Sequence, residues 1–521
     1  MKVISETAAW RQYEAGREYK RRIGLYETVR TNERFYRGEQ WSGADGNGLP
    51  RPVFNIVRRI ADYLICNIAS NDLTVTYTDE NLPYVSDRKK ADLISAGVDA
   101  FNRGTAYRWQ RRHMNDLIYR LIFDAAVSGD GILYSWWDAD ADDGRGDIAT
   151  GTVDNTNLFV SDVNRADIQS QEYIIISCRA TVSSLKNEAR RCGAPESEIA
   201  KIIPDGDTDA CELDSDDSKK ATYLVKFWRE DGRVKFEKST RGCVIRRTDT
   251  HCRLYPISYF SWYPAKNSFH GTAPISSMIP NQKYINRAYA MVMKHMTDSA
   301  FSKVIYDRTR IPEWSNEVGE AIGAAGGGNI GDAVAVVGTG QMEDGFLELI
   351  NNAVSTTKEL AGATETALGN IAPNNASAIL ALREGATVAL EQVRCSLYRC
   401  IEETADIWAD MSCAYNPDIC TVRTDEGISY IDFSLLRSSL LHARVEISEC
   451  ARYSLSATQT VLDRLLDSGH ITFAEYLDRL PDGILPGKAK LAASRRKAES
   501  TAPATEVGAD TSEKGDKKDD R

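Results

Sequence analysis

NQKYINRAYAMVMKHMTDSAF, residues 281–301, and FLELINNAVSTTKELAGATETAL, residues 346–368, decide how this chain is read. Both have the 3–4 spacing of a helix, and at 1.5 Å per residue each spans about 30 Å. Between them lies a Gly-rich, strand-like insert, residues 302–345, and after them the uncharged loop GNIAPNNAS, residues 369–377. Ile285, Tyr289, Val292 and Ala300 with Met291, Met293 and Met296 make the first helix apolar over more than one face. Such a helix has to be covered from several sides. A lone hairpin covers one, so neighbouring copies of the chain are the economical cover.

Outward from this hairpin the pattern is mixed. The first 40 residues read as a helix closed by Gly38, and a second helix starts near Phe54 with Ile56, Ile60, Tyr63, Leu64 and Ile68 on its apolar stripe. Leu73–Tyr77 reads as a strand, and Lys89–Ser128 as a long helix with a breaker at Gly104. Strands follow at Ile132–Asp138, Asn157–Val163, Glu172–Val182, Thr222–Glu230 and Val234–Thr240, with a short helix at Ser183–Gly193. A third long helix begins near Ser377 and holds its spacing through Leu390, Leu397 and Trp408 to about Met411, before Pro417. Short strands are expected at Cys420–Val422, Ser429–Phe433 and Ala443–Ile447. Ser456-x-x-Gln459 and Thr472-x-x-Glu475 have the form of capping boxes that open two more helices. The final stretch from Arg495 is polar and reads as disordered. The fold class is α+β.

Chemistry is sparse. The net charge is −11, which argues against gripping nucleic acid over a large surface and suits a surface that nucleic acid passes without sticking. The N-terminus lacks an apolar signal segment, no run is long and apolar enough for a membrane helix, and the 11 cysteines form no C-x-x-C pair, so reduced thiols and no zinc site are expected. Asp138, Asp140 and Asp142 have calcium-loop spacing, but Asp143 stands where the turn glycine belongs and Ala149 where the bidentate glutamate belongs. That segment reads as an acidic turn. GAAGGGNIGDA, 323–333, has no G-K-[ST] and reads as a turn before the strand AVAVVG. Arg103, Arg108, Arg111, Arg112 and Arg120 alternate with Asp99, Asp116 and Asp124 and read as a solvated or ion-paired helix surface. No G-x-S-x-G elbow and no H-E-x-x-H are present. No enzyme and no cofactor are expected.

Taken in order, these segments resemble a tailed-bacteriophage portal protein, the head-to-tail connector. NERFYRGEQW (32–41) with RPVFNIVRRIADYLICNIAS (51–70) is similar to the opening of such proteins. SWYPAKNSFHGTAPISSMIPNQKYINRAYAMVMKHM (261–296) resembles the approach to their first stem helix. GNIAPNNASAILALREGATVALEQVR (369–394) is similar to their tunnel loop and following helix, and TVLDRLLDSGHITFAEYLDRLP (460–481) to their crown.

The resemblance implies a ring, usually of twelve subunits, at one capsid vertex, through which double-stranded DNA is packaged and ejected without sequence specificity. It implies a wing (1–274 and 378–450), a stem of two helices (275–301 and 346–368), a small α/β clip (302–345), a tunnel loop (369–377), a helical crown (451–500) and a disordered tail (501–521). Asn370, Asn374, Asn375 and Ser377 would line the channel, with Glu348, Glu359 and Glu365 as candidates for its wall. Arg308, Arg310, Trp314 and Asn329 of the clip would meet partners. The partners implied are the large terminase subunit, the head–tail adaptor, and the major capsid and scaffolding proteins. The location implied is the virion, with the host cytoplasm during assembly and no membrane. The competing reading is a DNA-processing enzyme, a nuclease or packaging ATPase, against which the missing phosphate loop and missing carboxylate frame count.

Overall fold

The computed structural model describes residues 6–42, 48–69, 72–79, 88–144, 146–205, 219–300, 303–315, 317, 321–337, 345–363, 390–415, 420–424, 427–431, 441–448 and 462–480. The chain forms two compact units, Met1–Ile447 and Ser448–Arg521.

The first unit opens with α1 (Ala8–Arg22) and α2 (Leu25–Arg37) rather than one helix. The sequence reading missed the break at Gly24, whose φ of 70° is left-handed and turns the chain where Ile23 caps α1. Gly38 closes α2 as expected, also left-handed at 91°. Next come α3 (Ile56–Ile68), capped by Asn55, and β1 (Asp72–Asp79). α4 (Arg88–Arg111) runs straight through Gly104, which is exposed and costs the helix only about 1 kcal/mol. The break falls instead at His113, held at a φ of 50° before α5 (Met114–Ser128).

β2 (Asp130–Asp138) leads through the short α6 (Ala141–Gly144) into β3 (Asp147–Thr152), a strand absent from the sequence reading. β4 (Leu158–Val160), β5 (Tyr173–Thr181), α7 (Val182–Arg191), α8 (Glu196–Ile199), β6 (Lys220–Glu230), β7 (Arg233–Ser239), β8 (Val244–Asp249) and β9 (Ile257–Ser261) follow. β8 and β9 were also missed. β4 to β8 form a five-stranded antiparallel sheet in chain order, and β2 is the middle of a three-stranded sheet between β3 and β9.

α9 (Pro274–Ala300), the ribbon of β10 (Lys303–Tyr306) and β11 (Val334–Val337), and α10 (Gly345–Leu360) come next. α11 (Glu391–Tyr415), the β12 (Cys420–Thr424)–β13 (Gly427–Ile431) hairpin and β14 (Leu441–Ser448) complete the series, and β14 pairs with β1. The chain is therefore α+β.

The main core lies where α3, α5 and α11 meet β1 and β2. Val57, Ile60, Ala61, Leu64, Ile65 and Ile68 of α3 are all buried, as are Leu121, Ile122 and Ala125 of α5 and Leu397, Ile401, Ala405 and Trp408 of α11. Several polar groups inside are paired. Trp408 donates its indole N–H toward Ser135 Oγ (3.2 Å) and Thr150 Oγ1 (3.0 Å), Tyr77 donates to the Ala405 carbonyl (2.9 Å), and Asn102 bonds both backbone groups of Tyr77. The acidic stretch 138–147 connects β2 to β3, and Asp147 takes Arg108 (2.7 Å) and Arg112 (3.1 Å). Two arginines of the expected cluster, Arg108 on α4 and Arg112 just past its end, are thus ion-paired to an acid outside the helix.

Three carboxyls in this core give a pH signature. Burial pushes Glu403 up to about 7, against hydrogen bonds from Gln169 and the Tyr259 backbone. Burial also lifts Asp406 to about 6 and Asp124 to about 7. Each has a folded value above its ordinary one near 4, so the folded chain binds the extra protons. Their contribution is complete below about pH 4 and is lost as the pH rises through 6 to 7. Thermal unfolding of the first unit is expected at lower temperature at pH 8 than at pH 5. Glu403→Gln should flatten that fall by up to about 3 kcal/mol. An unchanged slope in the variant would remove Glu403 from this account.

In the second unit, a helical turn over 462–467 precedes α12 (Phe473–Arg479). The Thr472-x-x-Glu475 capping box forms in full: the Thr472 hydroxyl accepts from the Glu475 amide, and Glu475 accepts from the Thr472 amide at 2.9 Å. Tyr476 donates to Asp463 at 2.7 Å. Ser456 and Gln459 lie outside the described residues.

Candidate functional site

Pro274 opens α9, where a residue without an N–H is tolerated. The helix continues through Pro280, which explains why sequence reading started it at 281. Its first half is the root, packed on α2, α3 and α5 through Ile275, Met278, Ile279 and Ile285, all buried. The root is also fixed by a chain of buried neutral amides. Gln282 accepts from the amides of Ile56 (3.0 Å) and Val57 (3.2 Å) at the start of α3, and donates to the Phe54 carbonyl and Asn286 Oδ1, both at 2.8 Å. Asn286 passes the chain to Gln40 (2.6 Å), and Gln40 to Asn55 (3.1 Å). Gln282 thus satisfies first-turn donors of another helix, which have no partner within it. Gln282→Leu should cost roughly 2–4 kcal/mol in urea unfolding, because buried backbone groups lose their partners. A loss under about 1 kcal/mol would mean water replaces the side chain.

The second half of α9 is different. From Met293 to Ser299 no residue of the helix is buried, and Met296 is 62% exposed in the single chain, with Met291 and Met293 also open. α10 packs on α9, burying Ile350 and Thr357, yet leaves Phe346, Leu347 and Leu349 about half exposed and Leu360 79% exposed. The hairpin covers one stripe of each helix and leaves apolar side chains on the rest.

α10 is shorter than the expected 346–368. It ends at Leu360 because Gly362, with φ 72°, closes it: the Gly362 amide bonds the Glu359 carbonyl (3.0 Å) and the Ala363 amide bonds the Lys358 carbonyl (2.9 Å). The two helices are therefore unequal, 27 and 16 residues. Glu348 and Glu359 are exposed on α10.

The insert between them is a two-stranded ribbon, with Tyr306 opposite Val334 and Lys303 opposite Val337. A 3₁₀ turn, Ile330–Ala333, leads into β11. Three of the four expected partner residues hold the insert together. Arg310 donates to the Asn329 carbonyl (3.4 Å), Asn329 Oδ1 caps the 3₁₀ turn through the Gly331 amide (3.2 Å), and Trp314 stacks on Tyr306 with centroids 5.5 Å apart. Arg308 is exposed beside the turn at Asp307, whose carboxyl is held below its usual range by the Thr309 hydroxyl and amide. Ile305, Ile330 and Val336, each more than 60% exposed, add apolar surface that the sequence reading did not single out.

Asn370, Asn374, Asn375, Ser377 and Glu365 lie outside the described residues, as does the start of the third long helix. Among the described residues there is no cluster of three metal-ligating side chains, and no helix is long and apolar enough to cross a membrane. No family model and no curated protein matches the chain.

Proposed function

We propose that this chain is the portal subunit of a tailed bacteriophage, a ring at one capsid vertex through which DNA is packaged and ejected. One observation carries the reading: a helical hairpin, rooted in an α+β body and bearing a small β insert between its helices, leaves large apolar side chains uncovered on both helices. Water-exposed surface of this kind is stabilised by burial against another copy, at about 25 cal/mol per Å². Closed symmetry is the usual way to repeat such a contact without leaving a free end.

In this reading α9 and α10 are the stem, and the ribbon with its turn is the clip that meets the large terminase subunit and later the head–tail adaptor. Residues 1–274 and 378–450 form the wing, residues 451–500 the crown, and major capsid and scaffolding proteins surround the ring. The loop 369–377 lines the channel. Arg308 is the clip residue best suited to a partner's carboxylate, since Arg310, Trp314 and Asn329 already have partners inside the insert. The protein itself catalyses no reaction and takes no cofactor.

End-on electron micrographs of the purified chain should show closed rings with a central hole. The mass in solution should be near 0.7 MDa for about twelve copies of 57.9 kDa. A stable monomer with metal-dependent nuclease activity, or with ATP hydrolysis, would overturn this reading in favour of a DNA-processing enzyme.

A further inference from the structure

A cleft of about 640 Å³ opens between the end of α2 and the root of α9. Arg34 lines it from α2, and Lys283 and Arg287 line it from α9. Lys283 and Arg287 are four residues apart, so they share one helix face about 6 Å from each other along the axis. Trp41 and Tyr284 supply ring surface at its edge, and Glu27 is the one carboxylate in the lining.

Several cations elsewhere in the unit are ion-paired. Arg108 and Arg112 close on Asp147, Lys235 on Asp249 and Lys238 on Glu188. Arg34, Lys283 and Arg287 close no ion pair among the described residues. Arg34 donates to the Ser42 carbonyl at 3.2 Å, and Lys283 lies 5.6 Å from the Phe35 ring centroid. Three cations facing one cleft in a chain of net charge −11 call for an anion from outside.

We infer that this cleft holds the phosphodiester backbone of a nucleic acid. Guanidinium forks and an ammonium one helical turn apart match successive phosphates. The contact is weak by construction, because three phosphate contacts make a small electrostatic term. It is therefore compatible with a surface that lets DNA pass. The site lies within one chain, so it stands or falls separately from ring assembly.

The test is fluorescence anisotropy of a labelled duplex of about 20 base pairs with the full chain, with the mass of each variant measured in parallel. With about 0.9 units of salt slope per contact, affinity should fall about 40-fold between about 50 and 200 mM salt. Lys283→Gln with Arg287→Gln should cut that fall to roughly 3- to 4-fold, and Arg287→Gln alone should lower the slope by about 0.9. Both side chains are exposed, so the fold does not depend on them. Replacing two other exposed arginines, Arg191→Gln with Arg233→Gln, should change nothing. The inference falls if the parent does not bind the duplex, if the control pair weakens binding as much, or if polyglutamate of matched charge competes equally well. Loss of rings without loss of binding would count against the portal reading and leave this one standing.

Discussion

If the chain assembles as the proposed ring, replacing Met296 and Leu349 by glutamate should convert it to monomers of 57.9 kDa. Met296 is 62% and Leu349 51% exposed in the single chain, so neither substitution disturbs packing within it. Surface changes of this kind usually move stability by no more than about 0.5 kcal/mol. In the ring the same positions would be covered, and an unpaired carboxylate there costs several kcal/mol or forces the contact open. In a closed ring each subunit would make the contact on two sides, so two glutamates per chain would place four unfavourable groups around every subunit. Sedimentation should show the parent near 0.7 MDa and the variant as one slow species with unchanged far-UV circular dichroism. A variant that still forms rings would place these side chains away from the interface. A monomeric parent would remove the ring altogether.

The hairpin was legible because its signal is periodicity over many residues, the most robust kind of sequence information. Ile285 and Val292 on α9 and Ile350 on α10 are buried, as the spacing requires. The capping box at Thr472 and Glu475 was legible for a different reason, since two side chains and two amides three residues apart define it completely. Helix ends were less legible. Gly104 and Gly24 are both glycines in helical surroundings, but only Gly24 takes a left-handed φ, and His113 takes one without being glycine. Backbone turns at such points follow from what the two flanking helices pack against, which local sequence does not contain. β3, β8 and β9 were missed because their pattern is mixed: β8 reads Val-Ile-Arg-Arg-Thr-Asp and draws its order from pairing with β7. Long-range polar contacts such as Gln282 with the start of α3, 225 residues away, were invisible for the same reason. Arg310, Trp314 and Asn329, expected from the resemblance to meet partners, also make contacts within the insert that local sequence does not show.

On the proposed portal reading, replacing Asn374 and Asn375 by lysine should slow DNA passage during packaging or ejection while leaving assembly intact. The loop 369–377 carries no charge, and asparagine meets phosphate or water without strong attraction. Each lysine near a phosphate adds a salt-dependent term, and a ring multiplies it: about two dozen new positive charges would surround one constriction in a twelve-fold assembly. The drag should be largest at low salt, where screening extends over about 30 Å at 0.01 M, and should shrink as salt is raised. A loop that only connects two helices would respond differently. Its asparagines or Ser377 would then serve as caps, their loss would cost on the order of 1 kcal/mol, and transport would be unchanged at every salt concentration. Packaging rates of parent and variant at two ionic strengths separate these cases. A variant with a normal rate at low salt would take the loop out of the channel. A slow rate that recovers with salt would fit a neutral lining whose function is to hold DNA weakly enough to let it move.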